Sequence, residues 1–274
     1  MAEPLSIPVW YYQHHDADFS LAVPEEGFGG WKKTRLDFAP DHTGVVVMHA
    51  WDCGTEEQYP GWHRAVPYIP RGAEVCWRVF PGLLSAVRKS PLPLMHVVSS
   101  AGYYKDLPGY KKACDLAGPN AEKLETIPSD PVRDALSQFR NDHVFPGKHN
   151  VPDIQKGFSR LDFDPNARPL DDEYICEDGL QLFAVCKHLG VNHLIYAGFA
   201  IDGCLLISPG GMVDMNQRGF MCSAFRQAVV AIESKESARN QFAKEIALWR
   251  VALLFGFVFD VDDFIGALQP ISEA

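Results

Sequence analysis

The sequence predicts an α/β fold in which a mostly parallel sheet of six strands has helices on both faces, a three-layer arrangement. Short apolar runs without alternation recur along the chain, which is typical of parallel strands buried on both faces. Segments with the apolar period of a helix separate several of these runs, and repeated strand–helix units build parallel sheets. With 274 residues, 47% of them hydrophobic, the chain can bury one large core.

Six apolar runs are interpreted as the strands, in the order 45–48, 94–98, 174–176, 194–197, 228–232 and one beginning near 256. Helices are predicted at 72–88, where apolar residues recur at helical spacing, at 179–189, and directly after Cys204. Sheets of this kind bind ligands outside the carboxyl ends of their strands. We therefore expect the functional residues to follow strand ends.

Two segments do not follow the alternation of strands and helices. Residues 1–43 carry aromatic side chains among glycines and prolines, and we expect an ordered extension that packs on the core or on a neighbouring subunit. Residues 44–274 form the main domain, with an insertion at about 102–170 that is rich in glycine, proline and charge. One helix is predicted in the insertion, at 131–140. Long insertions of low periodicity usually serve as lids or oligomer contacts.

Composition limits the partners and the compartment. The formal net charge of −10 argues against nucleic acid and anionic membrane, because both are negatively charged. The chain has neither a long apolar run of membrane-spanning length nor a basic and apolar N-terminal signal. Seven scattered cysteines give neither a disulfide framework nor a metal-binding spacing. Reduced thiols in the cytoplasm are the expectation.

The stretch HLIYAGFAIDGC, at 193–204, is the most informative part of the chain. It predicts a buried strand, an exit at Gly198, a tight loop, and Cys204 at the start of a helix. Unpaired N–H groups and the helix dipole stabilise a thiolate at such a position, which lowers the pKa of the thiol. Cys204 is therefore a candidate nucleophile. The alternative is that it is a small buried apolar residue, as most free cysteines are.

From Gly44 onward the chain resembles the isochorismatase-like cysteine hydrolases, a superfamily of Rossmann-type α/β fold that includes nicotinamidases and N-carbamoyl amidohydrolases. The strongest match is Gly198-Phe199-Ala200 followed by a short loop and Cys204. KHLGVNHLIYAG before it and MNQRGFMCSAFRQAVVAIES after it resemble the flanking elements. The resemblance implies a cysteine hydrolase that acts on a small-molecule amide, carbamoyl or vinyl-ether bond.

The resemblance also implies a catalytic set of three residues. An aspartate at the end of the first strand takes the thiol proton, a lysine after the third strand supplies positive charge, and the cysteine attacks carbon. Backbone N–H groups of the loop at Phe199, Ala200 and Gly203 would hold the oxyanion. The family geometry implies a cis peptide bond between Phe199 and Ala200.

This chain departs from that set at two positions. The aspartate position falls on His49, with Asp52 three residues further on, and the lysine position falls on Glu177. One hypothesis is an altered triad, in which His49 is the base for Cys204 and Glu177 orients His49. A second is conventional chemistry through Asp52. The third is a catalytically inactive protein that serves as a small-molecule binding or oligomeric scaffold module.

The expected substrate pocket is aromatic. Trp51, Trp62 and Tyr103 are predicted to line a mostly apolar pocket with few polar groups, as is usual for small-molecule sites. No cofactor is expected, since phosphate-loop and dinucleotide fingerprints are absent. No metal is expected either, because VVSSAGYYKD lacks the Asp–x–His pattern of similar nicotinamidases. Family precedent and the aromatic extension predict a homo-oligomer of closed symmetry.

Overall fold

The structure, a computed structural model, describes residues 3–99, 101–119 and 126–268. Its strands are β1 (Leu5–Gln13), β2 (Gly30–Phe38), β3 (Thr43–Met48), β4 (Trp51–Asp52), β5 (Leu94–Val97), β6 (Asp162–Phe163), β7 (Tyr174–Cys176), β8 (His193–Phe199), β9 (Met221–Val230) and β10 (Val258–Phe259). Its α-helices are α1 (Pro60–Ala65), α2 (Ile69–Arg78), α3 (Phe80–Arg88), α4 (Pro108–Ala117), α5 (Pro131–His143), α6 (Val151–Phe158), α7 (Gly179–Leu189), α8 (Cys204–Ile207), α9 (Met212–Gln217), α10 (Phe242–Leu254) and α11 (Val261–Leu268).

The predicted α/β fold class is confirmed. The main sheet has the strand order β2-β1-β10-β9-β8-β3-β5-β7. The six strands from β10 to β7 are parallel, and each overlaps or lies beside one of the six predicted runs, although β9 begins at Met221, seven residues before the predicted run at 228–232. The sheet nevertheless has eight strands rather than six, because β1 and β2 add an antiparallel hairpin at one edge.

The hairpin comes from the N-terminal extension. Leu5, Ile7 and Val9 alternate with less buried residues along β1 and point into the core. That period of two is the signature of a half-buried strand, and it is the sequence signal for the two additional strands. Pairing of β1 with β10 leaves β2 as the edge of the sheet.

The two faces of the sheet carry separate apolar clusters. Along β3, Val45 and Val47 pack with residues of α2, α3 and α11, whereas Val46 and Met48 pack with residues of α7, α8, α9 and α10. Every residue of β3 is buried, which explains its continuous apolar run. Helices therefore cover both faces, as the sequence predicts.

Two predicted helices differ from the observed ones. The segment predicted as one helix at 72–88 is broken into α2 and α3, and Pro81 lies in the first turn of α3. Proline has no N–H to continue the bonding of α2, so the chain starts a new helix there. The helix expected after Cys204 is only the four-residue α8, followed by α9.

The insertion contains more regular structure than the single predicted helix. That helix is α5, whose first N–H groups are capped by the side chain of Asp130. The insertion also contributes α4, which packs on α7, and α6, which packs on α1. Strand β6 pairs with β4, so the insertion folds back over the chain that leaves β3. Among the described residues, no helix combines the length and apolar character needed to span a bilayer.

Candidate active site

The nucleophile loop leaves the sheet between β8 and β9. The peptide bond between Phe199 and Ala200 is cis, as the family resemblance implies. The carbonyl of Ala200 accepts hydrogen bonds from the N–H groups of Gly203, at 3.2 Å, and Leu205, at 3.0 Å. The N–H of Ile201 donates to Val230 at 2.8 Å. These bonds fold the loop tightly and present Cys204, which is half-buried, at the first position of α8.

A glycine is required where this loop begins. Gly198 has φ of 118°, and a Cβ built on it would lie 1.9 Å from the carbonyl oxygen of Met48. Only glycine tolerates both the backbone conformation and that approach. Gly198 pairs with Met48 across β8 and β3, so Phe199 and His49 leave neighbouring strands side by side. The sheet itself thus brings the two segments together.

His49 is a buried histidine with a neutral side chain. Its backbone N–H donates to Val97, and its φ of 54° lies in the left-handed region, which is uncommon for a non-glycine residue. The ring stacks on Trp51 with centroids 4.8 Å apart. Burial lowers the pKa of His49 to about 4, so the imidazole is uncharged at neutral pH. Its Nδ1 is buried and has no hydrogen-bond partner among the described residues.

His49 lines a cavity of about 110 Å³ at the carboxyl end of β3. Trp51 and Trp62 lie on its wall, and the remaining described lining residues are Asp52, Cys53, Gly54, Val66, Tyr68, Ile69, Gly72, Ala73, Asp164 and Phe199. The wall is therefore mostly apolar, with an imidazole and two carboxylates as its main polar groups. That composition is typical of small-molecule sites.

Cys204 is not among the residues that line this cavity. Tyr68 connects the two, because it lies on the cavity wall and is close to the cysteine. Burial raises the pKa of the Tyr68 hydroxyl well above its usual value, and the proximity of Cys204, Cys53 and Asp202 adds to the rise. The thiol therefore lies near the cavity wall without being part of the lining.

Asp52 reaches the cavity but is already paired. Its carboxylate accepts hydrogen bonds from Arg160, at 2.6 Å, and from the N–H of Gly54, at 2.8 Å. Partial burial by itself would raise the pKa of Asp52, but these two donors and the charge of Arg160 lower it. To act as the base of the conventional mechanism, Asp52 would have to give up part of this ion pair.

Asp164 lines the cavity, although no sequence pattern marks it as a candidate site residue. It follows β6 in the insertion, and its N–H donates to the carbonyl of Ala50 at 3.0 Å, which fixes it beside His49. Its carboxylate accepts from the N–H of Asn166 at 2.9 Å. Burial raises the pKa of Asp164, Asn166 opposes the rise, and the negative charge of Asp52 adds to it. Unlike Asp52, Asp164 forms no ion pair with any residue that the structure describes.

Glu177 lies elsewhere along the same sheet edge. Its two carboxylate oxygens accept hydrogen bonds from Tyr104, at 2.8 Å, and Tyr110, at 2.6 Å. Partial burial would raise the pKa of Glu177, but the two tyrosines and the ammonium of Lys105 lower it.

Strand β5 separates β7, which precedes Glu177, from β3, which precedes His49. Neighbouring strands are about 4.8 Å apart, so the two strand ends are about 10 Å apart. No hydrogen bond joins Glu177 to His49 in the described structure. The contact required by the altered triad is therefore not formed here.

Tyr103 is also placed outside the cavity lining. It packs edge-on against Phe163 at 4.9 Å and against Tyr104 at 5.1 Å, behind the wall that includes Trp51. Within the ranges that the structure describes, no group of three or more histidine, cysteine, aspartate or glutamate side chains is arranged to hold a metal ion.

Several solved structures are similar to this chain along most of its length. A cysteine hydrolase from Pseudomonas syringae pv. phaseolicola 1448A matches 85% of this chain and 95% of its own, at 15% identity and a TM-score of 0.48. An isochorismatase family protein from Burkholderia thailandensis matches 84% of this chain and 97% of its own, at 16% identity and a TM-score of 0.47. An N-carbamoylsarcosine amidase from Thermoplasma acidophilum matches 81% of this chain and 97% of its own, at 16% identity and a TM-score of 0.39.

A curated relative is similar in sequence over a shorter stretch. The ureidoacrylate amidohydrolase RutB of Serratia proteamaculans (strain 568) is 32% identical over 95 residues. The match spans 34% of this chain and 34% of that protein, about a third of each. No family model matches the chain. The resemblance to isochorismatase-like cysteine hydrolases that the sequence predicts is confirmed.

Proposed function

We propose that the protein is a cysteine hydrolase that cleaves an amide or carbamoyl bond of a small molecule, with Cys204 as nucleophile and His49 as base. The observation that carries this proposal is the pairing of Met48 with Gly198. It places a buried imidazole with a free nitrogen beside the loop that presents the cysteine. The sequence similarity to an amidohydrolase over 95 residues supports the same reaction class.

The chemistry follows from these two groups. His49 takes the thiol proton, and the sulfur of Cys204 attacks the carbonyl carbon to give a tetrahedral oxyanion. The backbone N–H of Cys204 is our candidate oxyanion donor, because the N–H of Gly203 already bonds to Ala200. Collapse of the oxyanion breaks the C–N bond, and the imidazolium returns its proton to the leaving nitrogen. Water, deprotonated by His49, then hydrolyses the thioester and frees the thiol.

The cavity holds the rest of the substrate in this proposal. Trp51 and Trp62 supply the apolar surface, and Asp164 accepts hydrogen bonds from substrate N–H groups. Asp52 stays in its ion pair with Arg160. Glu177 holds the tyrosines of the insertion rather than orienting His49. Because Cys204 does not line the cavity, side chains of the cavity wall must rearrange for a bound substrate to reach the sulfur.

The position of Cys204 outside the cavity lining also favours a second candidate function. Because Cys204 does not line the cavity, the same structure fits a binding protein whose cysteine takes no part in its activity. Such a protein binds a small molecule beside His49 and releases it unchanged. The two functions differ in what Cys204 does, and not in the ligand site.

Replacement of Cys204 by alanine separates the two functions. If the protein is a hydrolase, it should cleave at least one compound from a panel of small amides, carbamoyl compounds and vinyl ethers. Cys204→Ala should then reduce the rate of cleavage by about 10³-fold or more. Cys114→Ala is the matched control, since Cys114 is half-buried as well. As a binding protein, both variants should keep ligand affinity and no panel member should be cleaved.

We also propose a domain organisation, a compartment and an assembly state. Residues 1–43 form an extension of a hydrolase domain at 44–274. The protein is cytoplasmic and forms a homo-oligomer. Seven free cysteines agree with a reducing compartment. Exposed apolar side chains on α5, among them Val132, Leu136 and Phe139, agree with a subunit contact. Light scattering during size-exclusion chromatography tests the oligomer, and a monomeric mass contradicts it.

A further inference from the structure

A second cleft, of about 230 Å³, lies along the other face of α2 from the active-site cavity. Ile69, Gly72 and Ala73 of α2 face the cavity, whereas Arg71 and Arg78 face the cleft. The first turn of α10 and the end of β9 form the remaining walls of the cleft. The two spaces have no described lining residue in common.

The cleft gathers positive charge in a chain whose formal net charge is −10. Arg71, Arg78 and Lys244 line it, together with one acidic residue, Glu74. Glu74 is paired with Arg78 at 2.9 Å. No carboxylate of the described residues lies within 4.0 Å of Arg71 or of the Lys244 ammonium. Two cations of the cleft therefore lack a direct counter-charge.

The nearest carboxylates are engaged elsewhere. Glu233 accepts hydrogen bonds from the backbone N–H groups of Ala243 and Lys244, at 3.1 Å each, and so caps the start of α10. Glu245 is paired with Arg226 at 2.8 Å. Neither is free to neutralise the cleft without breaking a contact of the fold.

The two unpaired cations are held in place and partly buried. Arg71 donates from Nη2 to the carbonyl of Ala231 at 3.3 Å, and its Nε is buried without an acceptor in the described structure. Burial lowers the pKa of Lys244, and the like charges of Arg226 and Arg71 lower it further, although Glu245 and Glu233 oppose this. A buried N–H donor without an acceptor and two neighbouring cations both favour a bound anion.

We propose that this cleft binds the oxyanion of a small molecule, a carboxylate or a phosphate, between Arg71 and Lys244. The planar guanidinium offers two adjacent N–H donors to such a group, and the ammonium adds a third charge-assisted hydrogen bond. The occupant restores the charge balance that Glu233 and Glu245 do not provide. This site is separate from the active-site cavity and does not depend on the reaction proposed there.

Calorimetric titration with sodium phosphate and with sodium malonate, at about 0.15 M added salt, tests the proposal on the intact protein. The wild type should bind at least one of the two, and the tighter one identifies the preferred oxyanion. Arg71→Gln and Lys244→Gln should each weaken binding by about 10- to 100-fold, the effect of one charge-assisted hydrogen bond. Arg140→Gln, on the exposed face of α5, is the control and should bind as the wild type does.

Failure of the wild type to bind either anion, or equal binding by wild type and Lys244→Gln, overturns the proposal. Thermal unfolding without added anion gives an independent readout. Removal of one of two neighbouring cations should leave Lys244→Gln at least as stable as the wild type. An earlier unfolding transition in this variant means that Lys244 serves packing, and that result also overturns the proposal.

Discussion

The nucleophile loop and the insertion build the candidate site in different ways. The loop is set by the backbone of the sheet, since Gly198 pairs with Met48 and leaves no room for a side chain. The insertion contributes side chains through long-range packing, as when Asp164 is fixed beside His49 by a bond to Ala50. The loop carries Cys204, and the insertion adds Asp164 to the wall of the nearby cavity.

This difference explains why the superfamily resemblance is strongest at Cys204 and weakest at its partners. The course of the loop is set by Gly198 and by backbone hydrogen bonds to Ala200 and Val230. The side chains around the cavity are not fixed in this way, and at the position where the resemblance implies an aspartate this chain has the neutral His49. Changes to Asp164 of the insertion, and to His49 and Glu177 at two strand ends, therefore test how much the surroundings of the loop contribute to activity.

Replacement of His49 should have the largest effect of the three. In His49→Gln, turnover should fall by about 10²- to 10⁴-fold, because the base for the thiol is lost. His63→Gln is the control, since His63 bonds to the Gly54 carbonyl near the cavity without lining it. If the activity of His49→Gln stays within a few-fold of the wild-type activity, His49 is not the base.

The pH dependence of the wild type sharpens the same test. A base acts in its neutral form, and burial lowers the pKa of His49 to about 4 from its usual 6.5. Activity on the acid side should therefore persist below pH 6.5 and fall only as pH approaches 4. An acid limb centred at 6.5 in kcat/KM would contradict a buried, unpaired imidazole as the base.

Replacement of Asp164 should have an intermediate effect. Asp164→Asn keeps the shape of the cavity but replaces a carboxylate that has no ion pair with an amide, so kcat/KM should fall by about 10-fold. Asp162→Asn is the matched control two residues earlier, because that side chain pairs with Arg168 outside the cavity. Equal kcat/KM for the two variants would show that the insertion supplies shape but no polar contact.

Replacement of Glu177 should have the smallest effect on activity. Glu177→Gln should change turnover by less than about threefold and lower stability by about 1 kcal/mol, the cost of one weakened hydrogen bond to Tyr104 or Tyr110. Chemical denaturation and steady-state kinetics on the same sample separate the two effects. A loss of about 100-fold in turnover would instead support the altered triad, in which Glu177 orients His49.

The strands of the sheet could be predicted because each strand carries its own pattern in a short stretch of sequence. Every residue of β3 and of β8 is buried, so an unbroken apolar run marks each strand in the sequence. The break between α2 and α3 has a local signal as well, in Pro81. The helices α4 and α6 of the insertion begin with proline in the first turn, which is a start signal, but both are short and lie among glycines and prolines.

The partners of the site residues had no local signal. Tyr104 and Glu177 are 73 residues apart in the sequence, and Arg160 and Asp52 are 108 residues apart. No pattern around one member of either pair indicates the other member. Both bonds depend on how the insertion packs against strand ends. Sequence patterns can therefore predict which residues end strands, while the groups that contact them follow only from the tertiary structure.

The most direct test of the central claim is the reactivity of Cys204 relative to Cys114. Among the seven cysteines, these two are half-buried and the other five are buried, so access alone does not distinguish them. If Cys204 is the nucleophile, limited iodoacetamide at neutral pH, followed by peptide mass spectrometry, should label it at least about tenfold faster than Cys114, because a catalytic cysteine is more reactive than a structural one of similar exposure. Equal labelling of Cys204 and Cys114 would contradict a catalytic cysteine and leave the fold with a binding function.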